Sequence, residues 1–135
     1  MSDVIERYVN AFLLAAAKLG ASHIRVRPMG EGVSVEFWLE GAWTPQALSD
    51  PKLPIHMRII RRLSVMLGQL PPPPGQVLTG GIGLTVGDDK ELYYLVAVDH
   101  DIELAAYIEI VDKATFETRS EPRPPAGHPF RSLPS

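Results

Sequence analysis

An α+β fold, an antiparallel sheet covered by two helices, is predicted by two periodicities and by the placement of proline. Apolar residues recur every three or four positions in two segments and every second position in several others. The 13 prolines punctuate these segments rather than interrupt them: four stand together at Pro71–Pro74 and five lie beyond Glu121.

The first helix carries Val4, Ile5, Tyr8, Val9, Phe12, Leu13, Ala16 and Leu19 on one face. Ser2 or Asp3 can cap it, and Gly20 ends it. Two strands follow. Ser22–Arg27 sets Ile24 and Val26 against His23, Arg25 and Arg27. After a turn at Pro28–Gly32, Val33–Leu39 points Val33, Val35, Phe37 and Leu39 inward and Ser34, Glu36 and Trp38 outward. The pair reads as a hairpin with one face solvated or covered by a partner. Residues 40–52 are expected to be a loop. A second helix, announced by Asp50-Pro51 and Pro54, buries Ile55, Ile59, Ile60, Leu63, Met66 and Leu67, turns Arg58, Arg61 and Arg62 mainly outward, and stops at Gly68.

Pro71–Pro74 must be extended, because each ring fixes its own φ and removes a donor. Gln76–Val86 is expected to be a strand broken or bulged by Gly80, Gly81 and Gly83. Gly87–Lys90 is a hairpin turn, Glu91–Val98 an apolar and therefore interior strand, Asp99–Asp101 a turn, and Ile102–Val111 the last strand. The domain is expected to span residues 1–119. Residues 120–135 are too rich in proline and too poor in apolar side chains to fold, and are expected to form a disordered tail. Within it Pro122–Pro125 could serve as a polyproline ligand.

Composition narrows the function. The chain has 135 residues, room for one domain, and 45% of them are hydrophobic. With no cysteine, disulfides, thiolate nucleophiles and cysteine-based zinc sites are excluded. A net charge of −3 supplies no basic field for nucleic acid. No apolar run reaches the roughly 20 residues of a membrane span, and no targeting signal is seen, so a cytoplasmic protein is expected. Adjacent residues on a turn seldom converge on one ion, so His100 between Asp99 and Asp101 is not expected to hold a metal. No cofactor is expected.

The order of motifs supplies a resemblance. Ala15–Pro28, a helix end running into a strand, resembles the stretch of type II secretion and type IV pilus ATPases in which that strand reads Ala-Ser-Asp-Ile-His-Ile-Glu-Pro. Glu36–Gly41 stands where those proteins have Arg-x-Arg-x-Asp-Gly. Arg61–Gly68 is similar to their Arg-Ile-Lys-x-Met-x-Gly, and Leu70–Gln76 to their Leu-Pro-Gln-x-Gly. Together these span most of residues 2–111. The resemblance implies a PAS-like α-β-β-α-β-β-β module of the kind that precedes a RecA-like ATPase domain in a hexameric motor. The engine itself is missing: there is no Gly-x-x-x-x-Gly-Lys-Ser/Thr loop, and Thr79–Leu84 lacks the lysine that would reach the phosphates.

Within the matched region the charges are exchanged between strands. The family's two arginines on the second strand, which help sense nucleotide, are replaced by Glu36 and Trp38. Its Asp, His and Glu on the first strand are His23, Arg25 and Arg27. Exchanging both partners of a cross-strand pair costs the fold little but removes arginine contacts to phosphate.

The sequence therefore predicts a non-catalytic protein–protein interaction or regulatory module that works with a secretion or pilus motor ATPase or its regulator, with homo-oligomerisation possible. The interaction residues it offers are Arg25, Arg27, Glu36 and Trp38 on one sheet face and Arg58, Arg61 and Arg62 on the second helix, since Trp and Arg are enriched at binding hot spots. A solvated helix face is the plainer account of the second group. Two other readings remain. One is a PAS-like small-molecule sensor with its ligand between sheet and helices. The other is a catalytic subunit completed by a partner, for which Arg25 and Arg27 are the only candidates able to face phosphate.

Overall fold

The computed structural model describes residues 4–47, 49–52, 54–68, 77–99 and 104–126. Its elements are α1 (Val4–Lys18), β1 (His23–Met29), β2 (Gly32–Leu39), β3 (Ala42–Pro45), α2 (His56–Met66), β4 (Val77–Val86), β5 (Lys90–Asp99), β6 (Ala105–Val111) and α3 (Lys113–Thr118). The six strands form one sheet in the order β3-β2-β1-β6-β5-β4, and every neighbouring pair is antiparallel. The α+β class and the seven elements read from the sequence are present, and β3 and α3 are additional.

The periodicities do what their spacing requires. One sheet face packs under α1 and α2, where Ile24, Val26, Val35, Phe37, Tyr94, Val96 and Ile108 meet Val9, Phe12, Leu13, Ile59, Ile60 and Leu63, all without solvent exposure. The buried Tyr94 hydroxyl donates to the Leu13 carbonyl at 2.7 Å, tying β5 to α1, and burial pushes its pKa up to about 12. Glu6 and Arg62, 3.2 Å apart, link the two helices at their surface. Val4 and Leu19, placed by the sequence on the apolar face, are exposed at the helix ends.

Residues 40–52 are more ordered than the expected loop. Glu40 and Gly41 both adopt positive φ (50° and 82°), the two-residue turn whose twist suits a tight hairpin. This returns the chain as β3, with Trp38 opposite Trp43. The chain then stays on the β2 edge: Gln46 N–H donates to the Val35 carbonyl, the Ser49 hydroxyl bonds the Val35 backbone, and Asp50 and Val33 exchange both backbone bonds.

The glycines of β4 make no bulge. Its register with β5 runs unbroken from Val77 opposite Asp99 to Val86 opposite Lys90. Two of these glycines are explained by packing instead: a Cβ on Gly80 would lie 3.0 Å from the Leu67 side chain, and one on Gly81 would lie 2.4 Å from the Phe116 ring. The expected polyproline segment Pro71–Pro74 and the turn after Asp99 lie outside the described residues.

The second sheet face is partly covered by the chain itself. Asp112 caps α3 by accepting from the Thr115 N–H at 2.8 Å, and Phe116 packs on Tyr93 with ring centroids 5.0 Å apart. Beyond α3, within the stretch expected to be a tail, residues 120–126 continue over this face and Pro125 is buried. Residues 127–135 of that stretch lie outside the described residues.

Candidate interaction surface

Alternation along β1 and β2 puts His23, Arg25, Arg27, Glu36 and Trp38 on the sheet face opposite the helices. The register sets Arg25 directly across from Glu36. The Glu36 carboxylate is clasped by both arginines: Arg25 Nε at 2.8 Å and Nη2 at 3.2 Å form a fork, and Arg27 Nη2 lies 2.9 Å away. Burial of Glu36 pushes its pKa up, but the Arg25 hydrogen bond and charge, joined by those of Arg27, outweigh it and hold the carboxyl below its ordinary value. Two guanidiniums on one carboxylate leave this trio with one positive charge.

Trp43 completes the group. Its ring lies under the Arg25 guanidinium, 4.3 Å from centroid to Cζ, and meets Trp38 edge-on with centroids 5.3 Å apart. The outward face, expected to be solvated or covered by a partner, carries a built cluster of side chains that hold one another. Glu36 and His23 are buried, while Arg25, Trp38 and Trp43 are half-buried. Trp43 escaped the sequence reading because residues 40–52 read as loop. The signal was Glu40-Gly41, a two-residue link between Trp38-Leu39 and the β-prone Ala42-Trp43-Thr44.

Next to this cluster, the C-terminal segment is fastened to the sheet. His23 Nε2 donates to the Arg123 carbonyl at 2.8 Å, and Nδ1 lies 2.7 Å from the Ser22 hydroxyl, which donates to it when the ring is neutral. Glu109 Oε1 accepts from Arg119 Nη2 at 2.7 Å and from the Arg123 N–H at 2.9 Å. Burial above all lowers the His23 pKa. The Arg123 carbonyl and Glu109 oppose that shift and Arg119 adds to it.

Because the folded pKa lies below the unfolded value, this contribution is complete above about pH 6.5 and is lost as pH falls below it. Stability measured by urea denaturation is therefore expected to drop between about pH 7.5 and about pH 5.5 in the wild type, and to drop less in His23→Gln. Equal drops in both proteins would overturn the assignment to His23.

The second arginine group lies elsewhere. Helix α2 packs on the opposite sheet face, so Arg58, Arg61 and Arg62 share no surface with Arg25 and Arg27. Arg58 and Arg61 are exposed, Arg62 pairs with Glu6, and with Ile5 and Val65 the three line a groove of about 220 Å³ between α1 and α2. The glycine-rich Thr79–Leu84 lies inside β4, and the next element is a strand rather than a phosphate-binding helix. Among the described residues no three His, Asp or Glu side chains come together as metal ligands, and no helix is long and apolar enough to cross a membrane.

The α+β domain with a clasped Arg–Glu–Trp corner is as far as fold and site define a class. No protein-family profile matches the chain, and no curated protein matches it significantly. The likeness to secretion and pilus ATPases therefore rests on the order of short motifs alone.

Proposed function

We propose that this chain is a non-catalytic protein–protein interaction module that engages its partner at the corner formed by Arg25, Arg27, Trp38 and Trp43. The carrying observation is the stack itself: the Trp38–Trp43 pair, with Arg25 over the Trp43 ring, at one end of the sheet. Large aromatic surface and a fixed guanidinium, held in place by Glu36, offer contact area with little side-chain entropy left to lose. The two guanidiniums at this corner favour a partner carrying a carboxylate at the matching point.

The finer reading, a PAS-like module serving a secretion or pilus motor, is supported by the motif order and by the element order once β3 and α3 are set aside. Glu36 is engaged by two arginines of its own chain, which fits a scaffold whose nucleotide-sensing role has been lost. A sensor reading has less support. Val35, Phe37, Ile60, Leu63 and Tyr94 close the space between sheet and helices, and a cleft of about 500 Å³ beside Gly30, His56 and Met57 opens at the end of the sheet instead.

The test is co-purification with a secretion or pilus motor ATPase from the same cells, or with whatever partner the wild type captures. Trp43→Ala and Arg27→Glu are expected to reduce recovery at least tenfold, the effect of losing a hot-spot residue worth about 1.4 kcal/mol or more, with circular dichroism unchanged. Undiminished recovery by both folded variants overturns the proposed surface, and tight ATP binding in calorimetry overturns the reading that the nucleotide role has been lost.

A further inference from the structure

The two ends of the sheet are finished differently. At one end β3 has only four residues and closes on Pro45, and beyond it the edge of β2 is occupied by Gln46, Ser49 and Asp50. That is how soluble proteins blunt an edge. At the other end β4 runs ten residues, Val77–Val86, and contains no charge, no proline and no bulge. Its residues on the outer face, Val77, Thr79, Gly81, Gly83 and Thr85, are all exposed. Among the described residues no strand lies beyond it, and an uncharged edge of this length presents a row of main-chain donors and acceptors to another strand.

Gly83 points the same way. Gly80 makes room for Leu67 and Gly81 for Phe116, but a Cβ on Gly83 would meet nothing within 4 Å. Its φ is not positive and the strand is not bulged there, so among the described residues nothing requires glycine. A strand glycine without an internal reason marks a close approach from outside.

The geometry points to a second copy of this chain as the occupant, paired antiparallel along β4 through a twofold axis perpendicular to the sheet. A second copy supplies by construction a strand of the same length, equally free of charge, proline and bulges, so the two edges match along all ten residues. Charge selects the direction of pairing. The turn after β4 carries Asp88 and Asp89, both exposed. Parallel pairing would set the two acidic turns side by side, whereas antiparallel pairing separates them by the strand length, about 33 Å, well beyond the Debye length. The twofold axis keeps both helical layers on one side and joins the two six-stranded sheets into one. This dimer leaves the Arg25–Trp43 corner at the far ends of the joined sheet, so it stands apart from the proposed partner surface.

Sedimentation of the full chain tests it. The wild type is expected at twice the chain mass, and Gly83→Lys at the chain mass with an unchanged circular dichroism spectrum, because the lysine has room in the folded monomer but charges the shared edge. Thr79→Lys, on the same exposed row, repeats the test should Gly83→Lys misfold. Ala42→Lys, on the opposite edge, is expected to leave the dimer intact. A monomeric wild type overturns the proposal and leaves the edge to a strand of another protein. A dimer that survives both β4 lysines, or that dissociates with Ala42→Lys alone, overturns it as well.

Discussion

Replacing Glu36 by alanine is expected to destabilise the protein by about 2–4 kcal/mol, somewhat less than the roughly 3–5 kcal/mol for removing one partner of a fully buried ion pair. The carboxylate accepts three N–H bonds from two arginines, and the Arg25 and Glu36 side chains retain only 13% and 10% of their exposure. Without the carboxylate, two positive charges face each other across a poorly solvated strand face. Arg27, at 31% exposure, can turn to water, which keeps the loss below the upper limit for a fully buried pair. Glu36→Gln keeps the shape but not the charge, and is expected to lie between alanine and wild type. Replacing all three residues together by apolar side chains of similar volume should recover much of the loss, because no unpaired charge then remains.

The same cluster sets an acid limit. The folded Glu36 pKa is depressed, so its stabilisation is present above the unfolded value of about 4.3 and disappears as pH falls below it. Urea denaturation of wild type and Glu36→Gln should therefore converge as the solution is acidified through that range. A Glu36→Ala protein within about 0.5 kcal/mol of wild type at neutral pH would show the clasp to be energetically idle.

How much of this was legible beforehand varies with the physics involved. Elements specified by their own periodicity were readable: Ile24, Val26, Val35 and Phe37 alternate, Ile59, Ile60 and Leu63 recur, and all are buried as their spacing demands. The Arg25–Glu36 pairing was implied by opposite charges on the same face of two strands joined by a short turn. What escaped depends on distant chain. The segment Ala42–Pro45 is too short to display a period, and it becomes a strand because a two-residue turn lays it against β2. Helix α3 has six residues, and its one local signal is Asp112 three positions before Thr115. The glycines of β4 looked like bulges because sequence reveals the missing Cβ but not the Leu67 and Phe116 side chains that occupy its place. The proline-rich composition after Ser120 reads as a disordered tail, yet Arg119 and the Arg123 backbone gain polar anchors on Glu109 and His23, which sequence separation hides.

Gly32→Ala is expected to be the most damaging alanine substitution among the described glycines, costing about 2–4 kcal/mol from overpacking against rigid neighbours and the loss of backbone hydrogen bonds. A Cβ on Gly32 would lie 1.9 Å from the Asp50 carbonyl oxygen and 2.7 Å from the Pro51 carbonyl carbon. Both neighbours are main chain and cannot swing aside as a side chain can. That main chain is held in place from three directions: Val33 N–H donates to the Asp50 carbonyl at 2.9 Å, Asp50 N–H to the Val33 carbonyl at 2.8 Å, and Glu31 N–H to the Pro51 carbonyl at 3.0 Å. To admit the methyl, residues 50 and 51 must retreat. These bonds then lengthen together, and the chain leading into α2, which buries Ile59, Ile60 and Leu63, shifts with them. Amide hydrogen exchange gives the direct readout: the Val33 and Asp50 amides are expected to lose protection in Gly32→Ala while the Tyr94 and Val96 amides of the sheet centre keep it, apart from the global loss in stability. Unchanged protection at Val33 and Asp50 would show that the loop yields without cost and that glycine at position 32 answers to something other than this approach.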